Sequence, residues 1–72
     1  MNVLVFTTSV SAPHLVDSVK PLLSSRPEIE EWNFDLEDCD NILRVVTDDD
    51  LSPRHIELLL NKAGFACEEL VY

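Results

Sequence analysis

The sequence predicts an α+β domain whose elements follow the order β-α-β-β-α-β, a four-stranded antiparallel sheet with two helices on one face. Three observations carry that expectation. Leu15 to Leu23 and Ile56 to Ala63 both repeat apolar residues at helical spacing. The stretches around them are short and rich in strand formers. Finally, Val3 to Leu23 and Ile42 to Ala63 run through the same succession: an apolar strand, a polar turn, a proline in the first helical turn, then a histidine.

The first strand is the apolar run Val3-Leu4-Val5-Phe6, loosened by Thr7, Thr8 and Ser9 into a turn. Pro13 marks the first turn of the first helix, with Ser11 or Ala12 as its cap. Leu15, Val16, Val19, Leu22 and Leu23 form that helix's apolar stripe, and Ser24, Ser25 and Pro27 end it. A second strand is expected at about Ile29 to Glu37, where Trp32, Phe34 and Leu36 alternate with Glu31, Asn33, Asp35 and Glu37. Asp38-Cys39-Asp40-Asn41 is an acidic tip that reverses the chain. Leu43, Val45 and Thr47 share one face of the third strand, and Arg44, on the other, is expected across from a strand-two carboxylate. Ser52-Pro53 opens the second helix, Gly64 is placed for a left-handed stop, and Phe65 to Val71 is the last strand. The first and third strands are expected at the centre of the sheet. The layout is a ferredoxin-like βαββαβ sandwich.

Residues 1–72 supply one core and too little chain for two. A hydrophobic fraction of 46% is that of a globular domain, not a disordered acidic tail. The 14 acidic and 5 basic residues give a net charge of −9. That field repels phosphate backbones and anionic lipid, so neither nucleic acid nor membrane is an expected partner. It favours a protein partner with a basic surface, and self-association through a sheet edge is the other expectation. No apolar run reaches the ~20 residues of a membrane span, and the N-terminus lacks the pattern of a signal peptide. A cytoplasmic address follows as the default.

An enzyme is not expected. No Ser/His/Asp or Cys/His arrangement is evident, and one glycine cannot make a phosphate-cradling loop. Glu30 and Glu31, adjacent in a strand, are expected on opposite faces, which is no acid–base dyad. Asp48-Asp49-Asp50 lacks the spacing and distal glutamate of a calcium loop and reads as a solvated helix entrance. Cys39 and Cys67 are too far apart for a metal or redox motif, and two reduced thiols are expected. Cys67 suits a buried place in the last strand, and His55 lies on the polar side of the second helix.

Several segments together are similar to the heavy-metal-associated domain family, the copper-chaperone-like modules. They are Phe6-Thr7-Thr8-Ser9-Val10, Val19-Lys20-Pro21-Leu22, Glu30 to Leu36, Asp40 to Val45, and Ile56-Glu57 with Lys62-Ala63-Gly64-Phe65. The likeness covers nearly the whole chain. It implies the ferredoxin-like fold, with Lys62 and Phe65 matching residues that flank the family's metal loop. The family's metal motif is C-x-x-C, in which two thiolates hold one soft ion. With Val10 in the family's apolar position, those two places fall on Ala12 and Leu15, neither of which has a donor atom. The expectation is therefore no cofactor. The alternative is a weakly held Cu, Zn or Ni ion on non-standard ligands, His14 first and Cys39 second.

Overall fold

Local chemistry sets each element and its ends. A computed structural model of the chain describes residues 2–48 and 51–70. Strand β1 spans Asn2–Thr8, helix α1 Pro13–Ser24, β2 Ile29–Asp35, β3 Ile42–Thr47, helix α2 Pro53–Lys62 and β4 Cys67–Glu69. The sheet order is β2-β3-β1-β4, with every neighbouring pair antiparallel. The central strands are β1 and β3, as the sequence predicts. Phe6, Leu43 and Val45 leave the sheet on one side and pack against Val19 and Leu23 of α1 and Ile56 and Leu60 of α2, all fully buried. Both helices therefore cover the same face.

Strand β2 stops at Asp35, two residues before the expected Glu37, because the Asp35 carboxylate Oδ1 accepts the Glu37 N–H at 3.2 Å. That bond draws the chain out of the ladder and into the tip. A further turn follows, in which Asp38 Oδ1 accepts the Asp40 N–H at 2.9 Å and Asn41 takes φ +50°. Asparagine tolerates this left-handed backbone better than most residues.

Two other expectations are corrected. Ile29 pairs with Thr47 and Glu31 with Val46, so Glu30 is the extra residue of a bulge. Ile29 and Trp32 both pack on the core, which leaves Glu30 and Glu31 exposed together between them, not on opposite faces. Arg44 lies opposite Asn33, not a carboxylate, because the register places Glu31 against Val46 and Asp35 against Ile42.

The helix ends differ. At α2, the Ser52 side chain accepts the Arg54 N–H at 3.3 Å. Phe65 N–H reaches Leu60 O and Gly64 N–H reaches Asn61 O, at 2.9 and 3.0 Å, with Gly64 at φ +92°. This is the paired closure of a left-handed helix stop. It also shortens the last strand: Phe65 N–H is held by the helix and Ala66 N–H by the Ser9 hydroxyl, so pairing begins at Cys67. Asp49, Asp50 and Val71, which belonged to the expected helix entrance and last strand, lie outside the described residues.

Candidate functional site

Three connections meet at one end of the sheet: the β1–α1 turn, the β2–β3 tip and the α2–β4 turn. Thr8 joins the first two. Its N–H donates to Asp40 O at 3.0 Å, its hydroxyl donates to Asn41 O at 2.7 Å, and Asn41 Nδ2 returns a long bond to Thr8 O at 3.4 Å. The Thr8 hydroxyl oxygen also accepts Val10 N–H at 3.2 Å. Ser9 joins the third: its N–H donates to Ala66 O at 3.1 Å and its Oγ accepts Ala66 N–H at 2.9 Å. Val10, fully buried, anchors the turn to the core. The β1–α1 turn is thus fixed by protein groups on both sides. Only the presence of Thr8 and Ser9 at a strand end hinted at this role in the sequence; their partners are more than thirty residues away.

The residues singled out from the sequence lie around this end. Ala12 is the N-cap of α1, with extended backbone and no side-chain cap, and its carbonyl receives the N–H groups of Leu15 and Val16 at 3.0 and 3.1 Å. Leu15 is half-buried against the core. The position is used for packing. His14 between them is exposed, and its carbonyl accepts the Ser18 hydroxyl at 3.2 Å. Lys62 is exposed at the end of α2, and Phe65 packs against the core.

Cys39 is exposed on the tip, where its Sγ and the carboxylates of Asp38 and Asp40 lie within 4.8 Å of one another. Among the described residues this is the one such cluster of three donors, and His14 is not in it. One soft thiolate with two hard carboxylates is a poor match for Cu(I), which prefers paired soft ligands.

Cys39 and Cys67 both line a shallow open groove of about 400 Å³ that also touches Thr8, Ser9 and Asn61. They are nevertheless free thiols. Burial, with the nearby Glu57 carboxylate adding to it, pushes the Cys67 thiol up to about 12 from 9.0. It is a protonated core residue and a poor ligand. Glu57 also turns its Oε2 to the Glu69 N–H at 2.8 Å, covering part of the β4 edge.

No helix among the described residues is long and apolar enough to cross a membrane. No family model matches the chain, and no curated protein matches it. Among solved structures, the yeast copper transporter domain CCC2A, determined in solution in its apo and Cu(I)-loaded states, is similar over 99% of this chain and 97% of its own, with a TM-score of 0.83 and 15% identity. At that identity the likeness is one of fold: this chain has the ferredoxin-like architecture found in a copper transporter domain.

Proposed function

We propose that the chain is a single non-enzymatic interaction module, built on a heavy-metal-associated-like scaffold whose metal site has been given up, and that it works by contact with a protein. The observation that carries this reading is the pair Ala12 and Leu15. They occupy the metal positions implied by the resemblance, and one caps a helix while the other packs on the core. The net charge of −9 supports a partner with a basic surface over nucleic acid or lipid; a second copy of the chain is the other candidate. The reading places the protein in the cytoplasm.

A second reading has one observation in its favour. The donors of Asp38, Cys39 and Asp40 lie within 4.8 Å of one another on the exposed tip, a mixed set that suits Zn or Ni better than Cu(I), with His14 as a further non-standard ligand from the neighbouring turn. Titration with Cu(I), Zn(II) and Ni(II) under reducing conditions separates the two. Contact without metal predicts no stoichiometric uptake. Metal handling predicts one equivalent, lost in His14→Ala or in Cys39→Ser.

A further inference from the structure

We propose that the outer edge of β2 is a docking strand for an extended, basic protein segment, which adds to the sheet as a fifth strand. This rests on the protein-contact reading and names where the contact is made and with what.

The two edges of the sheet are unlike. Strand β4 is three residues long, and Glu57 reaches across from α2 to occupy the outward Glu69 N–H. That edge is short and blocked. Strand β2 is seven residues long and, among the described residues, its ladder partner is β3 alone; Ile29 N–H is held by Arg26 O at 3.1 Å, so the open run follows it. Its far side carries the backbone groups that an added strand takes up.

The side chains of β2 state the chemistry of the occupant. Glu30, Glu31 and Asp35 give the strand three carboxylates and no cation. The bulge sets Glu30 and Glu31 side by side on the exposed surface. On the helix side, Trp32 and Phe34 pack edge to face with ring centroids 5.9 Å apart and remain half-buried, so they offer an apolar ledge at the sheet margin. A strand alternating Lys or Arg with apolar residues satisfies both faces at once. A second copy of β2 does not: antiparallel pairing centred on Asn33 sets Glu31 against Asp35 across the dyad, and no other register supplies a cation. The unpaired edge therefore selects a basic strand over self-association, and the carboxylates guard it against pairing with its own kind.

The test uses the whole chain, isotope-labelled, and a capped synthetic peptide alternating Lys and Arg with Val, against a control peptide with Glu at every basic position. The expected result is chemical-shift change and slowed amide exchange concentrated at Glu30–Asp35, no binding of the acidic peptide, and about tenfold or greater weakening in Glu30→Lys/Glu31→Lys. Both residues lie outside the core, and the variant's spectrum confirms that it folds. Equal binding of the two peptides, or no binding of the basic one up to about 1 mM, overturns the proposal. So does a β2-mediated dimer of the chain alone. Binding that maps to the Asp38–Asp40 tip overturns the β2 assignment while leaving the protein-contact reading intact. That reading fails separately, on stoichiometric metal uptake.

Discussion

Thr8 ties the β2–β3 tip to the β1–α1 turn with one hydroxyl. Its Oγ1 serves Asn41 O and Val10 N–H at a half-buried position, so removing it strands two backbone groups. Thr8→Val is expected to cost about 1–3 kcal/mol in urea unfolding. Thr7→Val, which loses only an exposed 3.4 Å bond to Glu68 O, should stay within about 0.5 kcal/mol of wild type. Cys67 offers a pH test. The folded state keeps its thiol protonated up to about 12, while an unfolded chain ionises near 9.0. The thiol's contribution is therefore complete below pH 9 and lost as pH rises toward 12, by up to ~1.4 kcal/mol per unit. Cys67→Ala should flatten that part of the curve, whatever it does to stability at neutral pH. An unchanged slope in the variant would assign the loss to other groups.

The two helices repeat one plan with unequal finish. Helix α2 has a serine cap, a lysine in its last turn and a glycine stop; α1 has no side-chain cap, no acid in its first turn and no base in its last. Ala12→Ser should supply the missing cap and stabilise the domain by about 0.5–2 kcal/mol in the same unfolding assay. The helices and the sheet centre were legible in the sequence because their apolar periodicities are local and strong. The ends of β2 and β4 were less so. Asp35 ends its strand through a bond two residues on, and Phe65 is captured by Leu60, a helix-closing geometry that masks as the start of a strand. The bulge at Glu30 was hidden for another reason. Adjacent glutamates read as alternation until the register across β3 is known. At the site, Ala12 and Leu15 were readable as non-ligands, whereas the bonds from Thr8 and Ser9 to distant loops carry no local pattern.

At the scale of the molecule, the fold brings three of its five connections to one end and then ties them together with hydrogen bonds. Thr8 holds the tip, Ser9 holds the α2–β4 turn, and Val10 and Leu15 fasten the first turn to the core. In this architecture hydrogen bonds and core packing hold that end of the sheet, and the proposed contact reading assigns recognition to the acidic surface and the β2 edge. On the proposed reading the scaffold persists and the metal chemistry does not. A competition titration of Cu(I) against a chromophoric chelator, under reducing conditions, tests it on two proteins side by side. Wild type should leave the ion with the chelator, while Ala12→Cys/Leu15→Cys, which places a C-x-x-C pair at the start of α1, should take up one equivalent. One equivalent bound by wild type, lost in His14→Ala, would contradict the account.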